Sequence, residues 1–392
     1  MKAMILAAGK GTRVQPLTFE IPKPMIPLVR KPVLESIIEL LHGHGVDQIV
    51  INTSHLAPTI EDYFRDGSAW GVEIAYSFEG YIDAGEIRAQ ALGSAGGMKR
   101  IQDFSGFFDD TFLVLCGDAL IDLDIGAAVS FHRDKGALAT IVMKDVPADE
   151  VCKYGVVQTD HDGRILQFQE KPPVQEAVST TINTGIYVFE PAIFDHIPSG
   201  ETYDIGGQLF PDLVRKALPF YGVTLPFQWL DIGSISDFWH ATRTVLSGGF
   251  KGYALPGQDR GNGLRCGVNV RMNPERVTIR GPVYIGGSCE IGDGSMIEGP
   301  TVIGPGSVVE AGAEIRECLI DDYTKITSVA RLEGLIVSHG QCIRPDGTFF
   351  SHQQADLAWL IDDARHLQRL SEDHNLLVQL AKQSGMQTGR NA

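Results

Sequence analysis

Two cationic side chains, Arg13 and Lys23, flank a glycine-containing loop near the start of the sequence. The stretch that holds them reads ILAAGKGTRVQPLTFEIPKPMIPL, with an apolar run before Gly9 and Gly11 and prolines around Lys23. Glycines let a backbone approach a phosphate chain and present N–H groups to it, and a guanidinium offers a fork of donors suited to phosphate oxygens. The pattern therefore indicates a loop that binds a polyphosphate, with a structural turn carrying solvated cations as the alternative.

The loop matches neither of two common phosphate-binding patterns. A Walker A loop requires GxxxxGK[ST], which the segment from Gly9 does not supply. The dinucleotide pattern GxGxxG fails as well, because Val14 stands where the third glycine belongs. What remains is a strand, then Ala-Ala-Gly-x-Gly-Thr-Arg, then Pro16.

The elements that must position this loop alternate along the first part of the chain. Short runs of strand length, such as MKAMILAA, QIVINTS and TFLVLCGD, are separated by amphipathic segments at 32–45 and 58–68. This alternation predicts an α/β fold with a Rossmann-like, mostly parallel sheet covered by helices on both faces. Because ligands of such sheets bind beyond the C-terminal ends of the strands, we expect Ala8–Arg13, Gly117–Asp118 and Asp231–Gly233 to lie there.

The later part of the sequence has a different texture. After a glycine-rich polar stretch, a β-branched residue recurs every six positions, and the pattern slips near Asp321 and Asp322 before it resumes at Ile326 and Leu332. Such a repeat is typical of a parallel β-helix, in which each side of a coil contributes one inward apolar residue. The repeated residues are Ile279, Ile285, Ile291, Ile297, Ile303, Val309 and Ile315.

These patterns divide the chain into four predicted parts. They are an α/β domain over 1–248, a linker over 249–264, a β-helix over 265–345 and a C-terminal helix and tail over 346–392. The helix is predicted because five apolar residues near the end have helical spacing. They are Leu357, Leu360, Ala364, Leu367 and Leu370.

Composition limits the classes of function. The formal net charge of −16 argues against a nucleic-acid binder, which normally has a basic stripe, and against adhesion to an anionic membrane. An anionic substrate must therefore be met by a few placed cations, by helix N-termini or by a metal. The six cysteines form no CxxC pair, so no zinc knuckle is expected. Because the first apolar stretch is too short for a signal peptide and no run reaches membrane-spanning length, we expect a cytoplasmic protein.

Several motifs together resemble the signatures of the sugar-1-phosphate nucleotidylyltransferase family, also called NDP-sugar pyrophosphorylases. They follow the family order over residues 1–240, and a C-terminal left-handed parallel β-helix is common in that family. The motifs are ILAAGKGTRVQPLT with PKPMIPL at the start, LGSAG (92–96) for the LGTAG nucleotide loop, CGD (116–118) for the NGD metal motif, YGVV (154–157) with FQEKP (168–172) for the sugar-phosphate segment, NTGIY (183–187) for the sugar-binding stretch and WLDIG (229–233) for the second metal motif.

The resemblance implies transfer of a nucleotidyl group from an NTP to a sugar-1-phosphate, with release of pyrophosphate. No covalent intermediate is needed, so catalysis consists of positioning and charge neutralisation. By the same resemblance Arg13 and Lys23 are catalytic, and Asp118 and Asp231 hold Mg²⁺, which leaves coordination places for phosphate oxygens. The resemblance assigns the nucleotide to Leu6, Ala8, Gly9, Gly11, Thr12, Gln90 and Gly93, and the sugar phosphate to Gly155, Glu170, Lys171 and Asn183.

The overall pattern is most similar to that of mannose-1-phosphate guanylyltransferases, which predicts GTP and mannose-1-phosphate as substrates. One departure keeps glucose-1-phosphate with UTP, dTTP or ATP open: the segment 86–91 lacks the proline of the E-x-E-P-L-G-T-A-G pattern and offers Arg88 and Gln90 instead. Val14 and Gln15 stand where the family usually has Leu-Arg, which removes one positive charge beside the triphosphate and is a reason to consider a regulatory subunit. We further expect a homo-oligomer assembled through the β-helix or the C-terminal helix, with no nucleic-acid or membrane partner.

Three alternative functions compete with this assignment. A catalytically weak regulatory subunit that binds an NDP-sugar should lack a metal ligand or the signature arginine, and this sequence retains both. A glycosyltransferase could use Asp122-Leu123-Asp124 as a D-x-D metal motif, although this motif could equally be a loop and a helix cap. A structural β-helix scaffold would leave the N-terminal motifs unexplained.

Overall fold

The computed structural model separates the chain into two compact units, Met1–Ala241 and Thr242–Ala392. The first is an α/β unit built on a mixed sheet and the second contains stacked parallel strands, so the predicted fold class is confirmed. In the described part of the chain, no helix is long and apolar enough to cross a membrane. The structure describes residues 1–352, 354–355, 357 and 359–366.

The strands of the first unit are short and mostly buried. In chain order they are β1 (Lys2–Leu6), β2 (Pro27–Leu28), β3 (Lys31–Pro32), β4 (Gln48–Thr53), β5 (Glu73–Phe78), β6 (Gly80–Asp83), β7 (Glu86–Ala89), β8 (Phe112–Cys116), β9 (Ala119–Ile121), β10 (Ala139–Asp145), β11 (Gly155–Thr159), β12 (Ile165–Glu170), β13 (Thr181–Phe189), β14 (Phe220–Thr224) and β15 (Trp229–Asp231).

Six α-helices and several single turns of tighter or wider helix connect these strands. The α-helices are α1 (Val33–Gly43), α2 (Ala57–Phe64), α3 (Ser94–Ser105), α4 (Ile125–Asp134), α5 (Phe210–Arg215) and α6 (Ile235–Leu246). The 3₁₀ turns are Thr12–Val14, Leu17–Phe19, Lys23–Met25, Ser68–Trp70, Val151–Lys153, Val174–Glu176 and Pro191–His196, and Ile205–Leu209 is a π-turn. A further 3₁₀ turn, Ala364–His366, lies in the second unit.

The main sheet has the order β12-β11-β13-β8-β1-β4-β5, and β10 joins β13 to β14. Its centre is parallel, because β1 pairs in parallel with both β4 and β8. In this register Leu6 lies opposite Asn52 on one side and opposite Cys116 on the other. The C-terminal ends of three strands therefore meet where the sequence places its glycine loop and its CGD motif.

A cluster of aromatic side chains forms much of the core on one face of this sheet. Phe112 of β8 stacks on Phe194 with ring centroids 5.6 Å apart and planes inclined by 4°. Phe189 of β13 and Phe210 of α5 are also fully buried in this cluster. This packing fixes β8 and β13, the two strands that lead into the candidate site.

The second unit is built from strands of two or three residues. They are β16 (Gln258–Asp259), β17 (Leu264–Cys266), β18 (Arg271–Met272), β19 (Thr278–Arg280), β20 (Val283–Ile285), β21 (Glu290–Ile291), β22 (Met296–Glu298), β23 (Thr301–Ile303), β24 (Val308–Val309), β25 (Glu314–Arg316), β26 (Leu319–Ile320), β27 (Thr324–Ile326), β28 (Arg331–Glu333), β29 (Ile336–Ser338), β30 (Gln341–Ile343), β31 (Phe349–Ser351) and β32 (Ile361–Asp363).

These strands stack as the coils of a parallel β-helix, as the six-residue repeat predicts. Ile279 pairs with Ile297, and Ile297 pairs with Ile315, so that one coil takes 18 residues and contains three repeats. The seven repeated residues occupy seven successive strands, and all of them belong to or pack against one buried core. The core of this unit is therefore a column of inward apolar side chains, each of which lies above its counterpart in the next coil.

The slip in the repeat is a coil shortened by one residue. Ile303 pairs with Ile320, and Ile315 pairs with Leu332, so that both steps span 17 residues. The missing residue lies in the turn between β25 and β26, where Glu317 adopts a positive φ of 49°. The slip therefore occurs a few residues before Asp321, and the inward register continues unbroken at Ile326.

The predicted C-terminal helix is wrong over the described residues. β30 pairs antiparallel with β29, β31 pairs antiparallel with β30, and Ile361–Asp363 forms β32 antiparallel to β27. The helical spacing of Leu357, Leu360 and Ala364 is overridden because Ile361 is buried in the β-helix core and Ala364 N–H donates to Tyr323 O (2.7 Å). The rest of the predicted helix, including Leu367 and Leu370, lies outside the described residues.

Candidate active site

The glycine loop begins where β1 ends, at Leu6. Two hydrogen bonds anchor its base to the neighbouring strands. Ala7 N–H donates to Asn52 Oδ1 of β4 (2.7 Å), and Gly117 N–H donates to Leu6 O (2.9 Å). Beyond these anchors, Ala8 and Gly11 are half-buried, and Gly9 and Thr12 are exposed. The loop is thus held at its base, and its backbone is accessible to a ligand at its tip.

Gly11 is the residue that brings the lysine segment against the loop. Its φ is +61°, and a Cβ there would lie 2.9 Å from Thr18 Cγ2 and 3.0 Å from Lys23 Cβ. Thr18 Oγ1 donates to Gly11 O (2.8 Å), which closes the loop over this contact. A side chain at this position would therefore both strain the backbone and push Lys23 away.

Both predicted catalytic cations lie on short 3₁₀ turns. Val14 is fully buried and anchors the turn Thr12–Val14, which leaves Arg13 exposed. The turn Lys23–Met25 buries Pro24 and Met25 and leaves Lys23 half-buried. The apolar residues of each turn therefore fix the backbone that carries the cation.

The two predicted metal ligands come from strands that pair with each other. β15 pairs antiparallel with β9 and places Asp231 opposite Ala119, next to Asp118. Ile232 N–H donates to Asp118 O (3.1 Å), which ties the two motifs together. Gly233 packs so closely that a Cβ there would lie 2.7 Å from Asp231 Oδ2. The CGD and WLDIG motifs, more than a hundred residues apart in sequence, thus form one site.

Lys23 joins this carboxylate pair. Its Nζ forms a short ion pair with Asp118 Oδ2. Burial would lower the pKa of Lys23, but the Asp118 and Asp231 carboxylates outweigh it and the pKa is raised. Burial and the nearby Asp118 charge raise the pKa of Asp231. The first effect keeps the lysine charged, and the second follows from two carboxylates that share a desolvated site.

The chemistry of the carboxylates suits a hard divalent cation. Within the described ranges no hydrogen bond reaches the Asp231 carboxylate, although the side chain is half-buried. The same ranges contain no cluster of three or more His, Cys, Asp or Glu side chains able to hold a metal. Mg²⁺ commonly binds through one or two carboxylates and completes its shell with water and phosphate oxygens. Asp118 and Asp231 fit that pattern.

A second glycine-containing loop, LGSAG, leads directly into α3. Gly93 has a φ of +75° and approaches Tyr203 so closely that a Cβ would lie 2.5 Å from its carbonyl oxygen. Gly96 N–H donates to that oxygen (2.8 Å), and Tyr203 N–H donates to Leu92 O (2.9 Å). Gln90 is exposed just before the loop. The β6–β7 hairpin separates this segment from β5.

The sugar-phosphate residues gather at the end of β12. Gly155 lies opposite Glu170 in the β11–β12 pair, and Lys171 Nζ lies 3.1 Å from Glu170 Oε1. A Cβ at Gly206, in the π-turn, would lie 2.6 Å from Glu170 Oε2. Lys171 itself adopts a φ of +47° and is exposed. The structure thus brings three of the four predicted sugar-phosphate residues together, with Gly206 as an added neighbour.

Asn183 lies on an irregular stretch of β13 and uses both ends of its amide. Its Oδ1 accepts from Gly185 N–H (2.9 Å), and its Nδ2 donates to Tyr187 Oη (3.0 Å). The bulge at Gly185 packs on Cys116, since a Cβ there would lie 2.7 Å from Sγ. The amide of Asn183 therefore shapes the NTGIY bulge against the CGD motif, which is the structural alternative to a contact with the sugar.

The alternative D-x-D metal motif has structural roles for both aspartates. Asp122 Oδ1 accepts from Gln228 N–H in a short hydrogen bond. Asp124 caps α4, where its Oδ1 accepts from Ala127 N–H (3.0 Å). Both carboxylates serve the backbone, which argues against a glycosyltransferase site at these residues.

Three residues near the loops were missed by sequence reasoning. Asn52 and Glu79 are buried beneath the two loops. Asp204 Oδ2 accepts from Ser94 Oγ (2.8 Å) and its Oδ1 accepts from Gly207 N–H (2.7 Å), which links α3 to the π-turn. A buried polar residue at a strand end was the available signal for Asn52, since QIVINTS is otherwise apolar up to that point.

Comparison with known proteins gives a consistent result. The family model described as Nucleotidyl transferase matches residues 2–248. The chain is 56% identical over 366 residues to a Synechocystis sp. protein named UTP–glucose-1-phosphate uridylyltransferase, covering 93% of this chain and 94% of that one. It is 32% identical over 314 residues to a Mycobacterium tuberculosis mannose-1-phosphate guanylyltransferase, covering 80% and 82% of the two chains.

Solved structures share the fold at lower identity. A Bacillus anthracis protein described as a glucose-1-phosphate thymidylyltransferase, crystallised with sucrose, superposes with a TM-score of 0.55 at 22% identity, covering 65% of this chain and 97% of that one. A UDP-glucose pyrophosphorylase in complex with UDP-glucose gives a TM-score of 0.53 at 22% identity, covering 63% and 98%. At this identity the likeness concerns the fold alone.

Proposed function

The chain belongs to the nucleotidyl transferase family as a sugar-1-phosphate nucleotidylyltransferase, and we propose that its own substrates are UTP and glucose-1-phosphate. The observation that carries this proposal is the 56% identity, over nearly the full length of both chains, to a protein named as a uridylyltransferase. The named mannose-1-phosphate guanylyltransferase is 32% identical. UTP and glucose-1-phosphate, left open by the sequence, therefore replace the predicted preference for GTP and mannose-1-phosphate.

The residues near the base loop are compatible with uracil. Gln90 is exposed directly before the LGSAG loop, and its amide carries both a donor and an acceptor. Uracil presents a matching N–H and carbonyl on its pairing edge. In this proposal Gln90 and the backbone around Gly93 bind the base, while the loop from Leu6 to Thr12 binds the triphosphate.

The proposed reaction is an in-line displacement. A phosphate oxygen of glucose-1-phosphate forms a bond to the α-phosphorus of UTP as the bond to the pyrophosphate oxygen breaks, and pyrophosphate leaves with the electron pair. Arg13 neutralises the triphosphate and the leaving group, and Lys23 lies nearer to the reacting phosphates. Mg²⁺ held by Asp118 and Asp231 would neutralise further charge on the phosphate oxygens. The chain thus supplies positioning and positive charge rather than a nucleophile.

The other substrate is assigned to the end of β12. Lys171 would clamp the sugar phosphate, and the Glu170 carboxylate would accept hydrogen bonds from sugar hydroxyls next to Gly155. Asn183, on the NTGIY bulge, would contact the sugar. The Glu170–Lys171 ion pair, at 3.1 Å, supports this assignment because it holds a cation and an acceptor at one exposed place.

The decisive experiment measures initial rates of pyrophosphate release with Mg²⁺, for GTP, UTP, dTTP, ATP and CTP against glucose-1-phosphate and mannose-1-phosphate. We expect the highest kcat/KM for UTP with glucose-1-phosphate. Asp118→Asn serves as the background control. A highest value for GTP with mannose-1-phosphate would contradict the proposed substrates, and silence across the whole grid from folded protein would favour a regulatory subunit.

A further inference from the structure

Two buried polar side chains lie beneath the nucleotide loops and belong to neither of them. Asn52 is at the end of β4, Glu79 follows β5 directly, and each is only 2% exposed. A carboxylate and an amide at such depth are costly unless their polar atoms are paired. Their partners show what they accomplish.

The two side chains form one continuous chain of hydrogen bonds between the loops. Ala7 N–H, at the base of the glycine loop, donates to Asn52 Oδ1 (2.7 Å). Asn52 Nδ2 donates to Glu79 Oε1 (2.7 Å), and Leu92 N–H of the LGSAG loop donates to Glu79 Oε2 (2.9 Å). We call this pair the Asn52–Glu79 clasp. It connects the proposed triphosphate loop (Leu6 to Thr12) to the proposed base loop (LGSAG) through two side chains.

The backbone of Glu79 forms further hydrogen bonds, which fix where the β6–β7 hairpin begins and ends. Glu79 N–H donates to Thr53 O (2.7 Å), and Glu79 O accepts from Gln90 N–H (3.0 Å) and Ser54 Oγ (3.0 Å). The β6–β7 hairpin therefore leaves the sheet at Glu79 and returns to it at Gln90. Through its main chain and its side chain, one residue sets the positions of both Gln90 and Leu92.

The helix α3 also packs on the clasp. A Cβ at Gly97 would lie only 2.3 Å from Glu79 Oε1 and 3.4 Å from Asn52 Nδ2. Burial raises the pKa of Glu79, while the Leu92 N–H and the Asn52 amide oppose this effect. The helix that follows the base loop is thus seated on the same carboxylate, with no room for a side chain between them.

We propose that Asn52 and Glu79 are positioning residues that set the distance between the triphosphate loop and the base loop, so that a bound NTP meets both at once. This inference rests on the proposed function in that the ligand spanning the two loops is a nucleoside triphosphate. It does not depend on which base the enzyme selects. The clasp acts through backbone N–H groups, and neither side chain touches the substrate.

The test is a double-mutant cycle on steady-state kinetics with Asn52→Ala, Glu79→Gln and the double variant. Asn52→Ala removes the acceptor of Ala7, and Glu79→Gln leaves one of two donors facing an amide N–H₂. We expect each single variant to lower kcat/KM for the NTP by about tenfold to a hundredfold, since small misplacements of bound groups have effects of this size. The KM for the sugar phosphate should stay within about twofold, and the double variant should lose less than the product of the single losses.

One control variant and one further test variant separate positioning from general loss of stability. Thr140→Val breaks a different buried hydrogen bond, that to His132 Nδ1 (2.8 Å), and should lower the melting temperature without raising the KM for the NTP. Gly97→Ala leaves every polar group in place and favours the helix, yet its methyl group displaces the Glu79 carboxylate. Phe104→Ala, on the exposed face of the same helix, is its matched control.

The outcomes are distinct. Independent, multiplying losses in the cycle, or an unchanged kcat/KM for the NTP in folded single variants, would overturn the proposal. If Asn52→Ala or Glu79→Gln does not fold, folded Gly97→Ala decides alone, and unchanged kinetics there would overturn it equally. All variants are assayed with the NTP that the wild type turns over fastest, so a base other than uracil contradicts the proposed function while the clasp is still tested.

Discussion

Lys23 and Asp118 form a half-buried ion pair that joins the PKP segment to the CGD motif across 95 residues of sequence. A lysine is thereby held beside the carboxylates that are proposed to bind Mg²⁺. A cation bound at Asp118 would compete with the Lys23 ammonium for this oxygen and, in the proposed reaction, leave it available to the phosphates. The ion pair therefore holds Lys23, the proposed catalytic lysine, beside the carboxylates.

Lys23→Ala should lower kcat by roughly 10²- to 10³-fold, the usual effect of removing one group that stabilises developing charge. The protein should still fold, because the buried residues of this turn are Pro24 and Met25. Steady-state rates with saturating substrates measure the change. Lys216→Ala, an exposed lysine outside the glycine loop, is the control. A kcat near the wild-type value in Lys23→Ala would refute the catalytic role.

Asp231→Asn should abolish most turnover and leave the melting temperature unchanged or higher. The neutral amide keeps the size of the side chain but removes the repulsion from Asp118 in a desolvated site. Residual activity should need a higher Mg²⁺ concentration, which a titration at fixed UTP measures. Asp134→Asn, exposed at the end of α4, should leave both quantities unchanged. An unaltered Mg²⁺ dependence would count against Asp231 as a ligand.

Lys171→Ala should raise the KM for glucose-1-phosphate by at least about tenfold, because a hydrogen bond to a charged group contributes about 1.5–3 kcal/mol. The KM for UTP should not change, since the residue lies at the end of β12 rather than at either nucleotide loop. Varying each substrate in turn separates the two constants. Lys216→Ala, another surface lysine, is the control. Equal changes in both constants would argue against a specific sugar-phosphate contact.

His132 should make folding stability depend on pH. Its ring is buried, with Nδ1 2.8 Å from Thr140 Oγ1 and Nε2 3.2 Å from Glu190 Oε1. Burial lowers the pKa of His132 below its ordinary 6.5, although Glu190 opposes this shift. The unfolded chain therefore takes up a proton first, and the stability held by the neutral ring is lost as the pH falls below 6.5.

The corresponding variant is His132→Gln, with the free energy of unfolding measured in urea at pH 7.5 and 5.5. Wild type should lose more stability than the variant over this interval, by up to about 1.4 kcal/mol per unit of pKa difference. His161→Gln is the control, since that side chain is 90% exposed. An equal loss in wild type and His132→Gln would contradict the assignment.

Ile297→Ala should destabilise the β-helix by about 2–5 kcal/mol, the usual range for removing a large buried aliphatic side chain. The residue is fully buried and stacked between Ile279 and Ile315. Urea unfolding measures the change, and Val268→Ala, at a site 80% exposed, should have almost no effect. A small effect in Ile297→Ala would mean that the inward column does not stabilise the unit.

The sequence predicted those features whose signal is local or periodic. The inward residues from Ile279 to Ile315 predicted the β-helix because burial repeats with a fixed period. The glycine loop and the end of β8 predicted where Asp118 would lie, because parallel strands align their C-terminal ends, whereas Asp231 reaches it through the antiparallel pairing of β15 with β9. In both cases a short stretch of sequence contains the whole physical reason.

Features that depend on distant partners were not predicted. Asn52 and Glu79 are 27 residues apart and have no shared pattern, so their hydrogen bond is visible only in the fold. The segment around Ile361 has helical spacing, yet it becomes a strand because the edge of β27 offers it backbone partners. The choice of base is not determined by the sequence either, because the motifs that the whole family shares do not distinguish uracil from guanine.

The antiparallel strands at the end of the β-helix bear on whether molecules associate end to end at high concentration. A solenoid's last coil offers backbone groups that could recruit the coil of another molecule and start a fibre. Here β30 occupies the edge of β29, and β32 occupies the edge of β27. The chain thus caps its own stack on these two faces. Removing the residues from Gln341 onward would expose the backbone groups of β29 and β27 to pairing with another molecule.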